Sequence, residues 1–211
     1  MIMTDIERGE ATPPLFVMRT GLIYSSPFGF FDDLADCLDA HVIVPDDIRQ
    51  DFIETHDVPE GLERSAPVRE MTRIIAEDQV IRGLEQGDNV VYEGLLNQIE
   101  RRQQLREVAE SCGALTLLIA TRSSFDDISK RIHQRANGEI DGIGPEDQDW
   151  IDRKLFAYHS VKKNIEWPDD EPNLILRCDF DRDNEELIQI VEKRVEVMYS
   201  KVTESCNILL S

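Results

Sequence analysis

The chain has 211 residues, enough for one α/β domain with a substantial core. Its 23 lysines and arginines face 43 aspartates and glutamates, a formal charge of -20, which excludes nucleic acid and anionic membrane as partners over most of the surface. Any phosphate site must be a local basic patch, and the acidic, lysine-poor composition fits either a high-salt cytoplasm (a halophilic protein) or an ordinary acidic soluble protein.

Cys37, Cys112, Cys178 and Cys206 form no Cys-x-x-Cys pair, and His41, His56, His133 and His159 show no metal-ligand spacing. With no signal peptide and no long apolar run, the sequence reads as cytoplasmic with reduced, buried thiols.

Residues 1–14 are polar and end in Pro13-Pro14, a frayed lead-in to a domain expected over 15–201. The first predicted strand, Leu15–Arg19, runs into Gly21 and a short loop, and a helix is predicted over Phe30–Leu38. That is the strand–loop–helix context of a Walker A motif. Laid over Gly-x-x-x-x-Gly-Lys-[Ser/Thr], Gly21 fits, but Ser26, Pro27 and Phe28 stand where the second glycine, the lysine and the hydroxyl belong. In such a loop backbone N–H groups close on phosphate oxygens, the lysine supplies charge and the hydroxyl completes a magnesium shell. Proline removes one N–H and phenylalanine brings neither charge nor hydroxyl. No lysine precedes Lys130, so a register shift recovers none. The nucleotide is bound differently, or it is not bound.

Further apolar runs predict strands over His41–Val44, Asn89–Tyr92, Leu115–Ala120 and Asn173–Arg177. Short runs without alternation, separated by helices, predict an α/β fold with a parallel sheet covered by helices on both faces. The helices are predicted over Ala66–Glu85, Asn97–Cys112 with Gly113 as C-cap, Phe125–Ala136, Glu146–Ile165 and Asn184–Tyr199. The glycine-rich stretch 137–145 joins the third and fourth of these and reads as part of a lid around 124–165. Residues 202–211 form a short tail.

Three constellations could carry chemistry. At the end of the second strand Asp46 and Arg49 form either a base and its anion clamp or the ordinary start of a helix beginning at Asp47. At the end of the third, Glu93 is either a magnesium-side acid or a buried, hydrogen-bonded one. Arg131 and Arg135, four apart on one helix face, either grip one anion or pair with acids such as Asp127.

Taken together, Leu15 to Tyr199 resembles the small P-loop kinases of the polynucleotide kinase and zeta-toxin type. Val44-Pro-Asp46-Asp-Ile-Arg49 matches the Asp-x-x-Arg that ends their second strand. The resemblance implies that Asp46 is the general base toward an acceptor hydroxyl and that Arg49 holds the substrate phosphate. Asn89-Val-Val-Tyr-Glu93-Gly-Leu95-Leu-Asn97 resembles their Asp-Gly/Ala-Thr-Asn strand end, with Glu93 in the aspartate's place and Leu95 in the threonine's. Ile99–Arg106 resembles the basic helix beside the substrate cleft, and Phe125–Arg135 the lid helix whose arginines touch phosphates. Trp167–Leu176 is similar to the approach to the last strand. The implied cofactors are ATP and magnesium, held through Gly21, Ser25, Ser26, Arg131 and Arg135, with Glu93 toward the metal.

Losing lysine, hydroxyl and a glycine together costs a phosphoryl-transfer site several orders of magnitude in rate. The sequence therefore points to a pseudo-kinase, a kinase-fold binding or regulatory protein that retains an anion-binding cleft for a nucleotide or a phosphorylated small molecule. The alternatives are an active ATP-dependent phosphotransferase acting on a small molecule or a nucleic-acid end, and an interaction module for a protein partner.

Overall fold

The computed structural model describes residues 12–138 and 147–209. Most of the expected lead-in and of the stretch 137–145 lies outside them. Five strands and seven helices follow among the described residues: β1 Leu15–Gly21, α1 Phe30–Leu38, β2 Ala40–Ile43, α2 Pro45–Thr55, α3 Ala66–Gln86, β3 Asn89–Leu95, α4 Ile99–Ser111, β4 Leu115–Arg122, α5 Phe125–Ala136, α6 Gln148–Asn164, β5 Leu174–Arg177 and α7 Asn184–Leu209. The strands form one parallel sheet in the order β2-β3-β1-β4-β5. Leu15, Phe16, Val17 and Met18 are all at most 1% exposed, so β1 is covered on both faces, as its unbroken apolar run requires.

Two element ends differ informatively from the expected ones. Helix α7 runs on to Leu209, past Tyr199. Strand β3 continues past Tyr92 to Leu95 with an irregularity: Phe16 to Met18 pair in order with Val90 to Tyr92, but Arg19 pairs with Leu95. The displaced residues Glu93 and Gly94 sit in that irregularity. A Cβ on Gly94 would lie 2.4 Å from the Tyr92 ring and 2.8 Å from Pro45, so only glycine lets these groups approach.

The helix ends follow local chemistry. Ser124 caps α5 by accepting the Asp127 N–H at 3.1 Å, and Asp147 caps α6 by accepting the Trp150 N–H at 2.8 Å. Helix α3 stops at Gly87 in the left-handed region, φ 85°.

The chain divides into two compact units. The first takes the chain through Thr20 together with Ala35–Leu118, the second Gly21–Leu34 and the chain from Ile119 onward. In the first unit Phe16, Met18, Ile43, Val90 and Tyr92 of the strands pack with Ala76, Val80 and Leu84 of α3 and Leu105 and Ala109 of α4. In the second, Leu22 of the loop packs with Ile128 and Ile132 of α5 and Ile151 and Tyr158 of α6. Among the described residues no helix is long and apolar enough to cross a membrane.

Candidate functional site

The loop that follows β1 belongs to the second unit, and its own side chains brace it. Gly21 has φ 140°, and a Cβ there would lie 2.5 Å from the Thr121 carbonyl oxygen and 2.6 Å from its hydroxyl. Close approach to the end of β4 and a conformation foreign to L side chains both demand glycine. Ser25 is fully buried: its N–H donates to the Leu22 carbonyl at 3.1 Å, and its hydroxyl lies 2.6 Å from that carbonyl and 2.6 Å from the Thr121 hydroxyl. Ser25 thus closes a turn within the protein. Ser26 is 7% exposed.

Tyr24 takes a positive φ of 55°, unusual for a residue with a Cβ. Its carbonyl accepts from Arg131 Nη1 at 3.2 Å. Its ring meets Phe28 edge-on at 5.9 Å between centroids and Trp150 at 6.5 Å, while the Arg135 guanidinium lies over Phe28 at 6.0 Å. At the far end of the loop the Phe28 carbonyl accepts from Asn184 Nδ2 at 3.0 Å, and Asn184 also donates to Asp33 of α1 at 2.5 Å. Tyr24 thus joins the Phe28 and Trp150 rings, and Arg135 lies over the Phe28 ring.

Arg131 and Arg135 sit at different depths. Arg131 is 2% exposed, and its four Nη protons go to Tyr24 O, Ser123 Oγ at 3.0 Å, Cys178 O at 2.9 Å and Asp179 O at 2.8 Å. Burial lowers its pKa, opposed by the nearby Cys178, Asp127 and Asp179. It ties the loop to the segment after β5, while Arg135 is only half-buried. The four-residue spacing put both on one face of α5, but the depth at which each sits separates their roles.

Asp46 and Arg49 lie in the first unit, and the structure brings them together, Arg49 Nη1 donating to Asp46 Oδ1 at 2.7 Å. The Asp46 side chain is 78% exposed and the pair spans the first turn of α2, whose first residue is Pro45. That is the geometry of a helix-start carboxylate paired one turn on.

Glu93 also has an unexpected partner. Arg19 of β1 reaches it at 3.2 Å from the neighbouring strand. A guanidinium there satisfies the carboxylate that a magnesium ion would use. Phe28 brings no hydroxyl, and Glu93 joins no group of three or more ligating side chains among the described residues. The residues present do not fit a magnesium site of the P-loop kind.

The arginines of α4 support the structure as well. Arg102 is fully buried and donates to the Leu96 carbonyl at 2.8 Å. Arg101 pairs with Glu77 of α3, and Glu77 in turn accepts from Arg73 at 3.1 Å. Glu70 accepts from Arg73 and is held below its ordinary pKa by it.

Arg19, Asn184, Thr121 and Trp150 were not singled out in the sequence. A lone charge in the apolar run Leu-Phe-Val-Met-Arg was a signal for Arg19; the other three sit in polar or mixed segments that give none.

No family model and no curated protein sequence matches the chain. Among solved structures it is similar to the Mycobacterium tuberculosis APS kinase CysC in complex with AMPPNP and APS, with TM-score 0.57 and 18% identity over 87% of this chain and 98% of that one. It is similar to a gluconokinase from Sinorhizobium meliloti, with TM-score 0.56 and 14% identity over 93% of this chain and 99% of that one. It is also similar to Chaetomium thermophilum Kti12 in complex with ADP-AlF3, with TM-score 0.53 and 20% identity over 85% of this chain and 98% of that one. At these identities the likeness carries the fold alone: the chain has the α/β fold of the P-loop kinases.

Proposed function

We propose that this chain is a P-loop kinase-fold protein that has lost phosphoryl transfer and serves in binding or regulation. The observation that carries this reading is the loop of residues 21–29, which side chains of the protein brace at three points. Ser25 is tied to Thr121, the Tyr24 carbonyl to Arg131 and the Phe28 carbonyl to Asn184, with the Phe28 ring held among Tyr24 and Arg135. A catalytic phosphate loop turns backbone N–H donors toward an anion, and Pro27 has none to turn. Pro27 and Phe28 supply neither the charge nor the hydroxyl on which transfer depends. The acidic surface suits a medium of high ionic strength, where its self-repulsion is screened.

The ligand class that the fold favours is a nucleotide or a phosphorylated small molecule, and the APS kinase solved with AMPPNP and APS makes these the compounds to titrate. Of the predicted site's arginines, the half-buried Arg49 and Arg135, each within its own unit, are the ones we assign to such an anion. One observation favours a second reading, an active phosphotransferase with a non-standard loop: Asp46 and Arg49 are paired at 2.7 Å in the order of the acceptor-activating motif.

Calorimetric titration with magnesium-ATP and magnesium-GTP separates the two. One lost charge-assisted hydrogen bond costs about 1.5–3 kcal/mol, and roughly 1.4 kcal/mol is already tenfold. Binding is therefore expected only in the millimolar range or not at all. A micromolar dissociation constant, with turnover of ATP that Asp46→Asn abolishes, would establish the phosphotransferase instead.

A further inference from the structure

Phe156, 77% exposed, is the most exposed of the large hydrophobic side chains described. It lies at the middle of α6, which is seated by its opposite face: Ile151 and Tyr158 are buried against α5 and the loop. The neighbouring Phe125, 42% exposed, lies 5.7 Å from the His159 ring and widens the apolar patch. Two exposed aromatic rings, Phe156 on the well-seated α6 and Phe125 at the start of α5, form an apolar patch of the kind that docking surfaces use, and the charges around it decide what it fits.

At about 100° per residue, Asp149 and Lys163 lie about 20° to either side of Phe156, Asp152 and Ser160 about 40°, and Arg153 and His159 about 60°. All of these residues are exposed. Lys154 and Lys162 leave the stripe, their ammonium groups lying over the rings of Trp150 at 5.1 Å and Tyr158 at 5.6 Å. The stripe therefore carries carboxylates toward its N-terminal end, an aromatic at its centre and Lys163 at its C-terminal end. With Arg153 counted, its two carboxylates and two fixed cations cancel, on a chain whose formal charge is -20.

Such a pattern is complementary to itself. Laid antiparallel against a second α6 about a twofold axis through Phe156, Asp149 meets Lys163 near the centre of the seam, Asp152 meets His159 on one flank, Arg153 meets Ser160 on the other, and Phe156 meets Phe156 on the axis. Each contact off the axis occurs twice, as an isologous interface requires, and the two helix dipoles oppose. A polyanionic strand or an acidic protein would find attraction at Arg153 and Lys163 cancelled by repulsion from Asp149 and Asp152. We propose that the exposed stripe of α6 is a docking face for a second copy of this chain, packed antiparallel through Phe156. A single helix pair buries less than the roughly 1,600 Å² of a standard interface, and the two copies repel at long range, so the dimer is weak, with a dissociation constant on the order of micromolar.

Sedimentation equilibrium of the full chain over a concentration series at about 0.15 M ionic strength tests this. The wild type is expected to dimerise. Phe156→Ala, Asp149→Lys and Lys163→Asp are each expected to weaken the dimer roughly tenfold, the charge variants because two symmetry-related pairs turn from attraction to repulsion. Because Asp149 faces Lys163 of the other copy, mixing the Asp149→Lys and Lys163→Asp proteins should form a heterodimer that neither forms alone. The variant with both exchanges should likewise return to near wild-type association. These side chains are exposed, and melting curves of each variant verify the fold. A wild type that stays monomeric at every concentration, a dimer indifferent to Phe156→Ala, or single-swap proteins that fail to associate on mixing would each overturn the proposal.

Discussion

Exchanging Ser26 for glycine, Pro27 for lysine and Phe28 for serine is expected to raise magnesium-nucleotide affinity by roughly a hundredfold or more. The lysine adds a point charge and the serine a hydroxyl, and the glycine lets the backbone close on phosphate. Two restored charge-assisted contacts at about 1.5 kcal/mol each already exceed the 2.7 kcal/mol or so that a hundredfold represents. Removing the Phe28 ring also dissolves its contacts with Tyr24 and Arg135. The bracing of the rest of the loop does not depend on the exchanged side chains: Ser25 is held by Thr121 and the Tyr24 carbonyl by Arg131. Phosphoryl transfer is not expected to follow, because Arg19 holds Glu93 and Leu95 stands where a threonine belongs. Calorimetry reads the gain in binding and an ATP-turnover assay its separation from catalysis. A folded triple variant that still ignores nucleotide would mean that Tyr24 and Trp150 close the loop by themselves, and adding Tyr24→Gly to it would then be the deciding variant.

The elements were legible wherever the apolar pattern and the caps agreed. Helices α1 and α5 begin and end where they were predicted, the second because Ser124 announces its start. Strand β3 ran longer than expected because Glu93 and Gly94 break the apolar run while the backbone continues past them to Leu95. Helix α7 ran past its predicted end for the converse reason. Thr203, Ser205 and Asn207 are weak helix formers, and such propensity yields readily to the rest of a long helix.

The site was legible as residue types and much less as roles. Spacing placed Arg131 and Arg135 on one face of α5, but spacing is blind to depth, and depth decides whether a guanidinium meets an anion or a ring of carbonyls. Motif order paired Asp46 with Arg49, and the structure pairs them. Nothing in the order of the chain told that Arg19 would stand beside Glu93, since the two meet only through the register of neighbouring strands, 74 residues apart in sequence. The aromatic group of Tyr24, Phe28 and Trp150 was hidden for the same reason, because α6 lies far along the chain from the loop it covers.

Arg131→Met is expected to destabilise the protein by about 3–5 kcal/mol, the cost of removing one partner from a buried, hydrogen-bonded charge site. Methionine fills a similar volume without donors, so Tyr24 O, Ser123 Oγ, Cys178 O and Asp179 O all lose the proton they accept. Relief of the charge's desolvation offsets part of this, but carbonyls left buried without a donor cost about 1–3 kcal/mol each. For a chain of this size the apparent melting temperature should fall by roughly 10 °C. Lysine is a poor replacement despite its charge, because a single ammonium cannot present the planar fork that reaches four oxygens. The measurement also decides between the two roles that the sequence left open for this residue. Were Arg131 a ligand arginine, its removal would leave stability almost unchanged and lower anion affinity alone, since a guanidinium held ready for a phosphate makes few internal bonds. A melting temperature within a degree or two of the wild type, in urea as well as on heating, would return Arg131 to the ligand and take away the main brace of the loop.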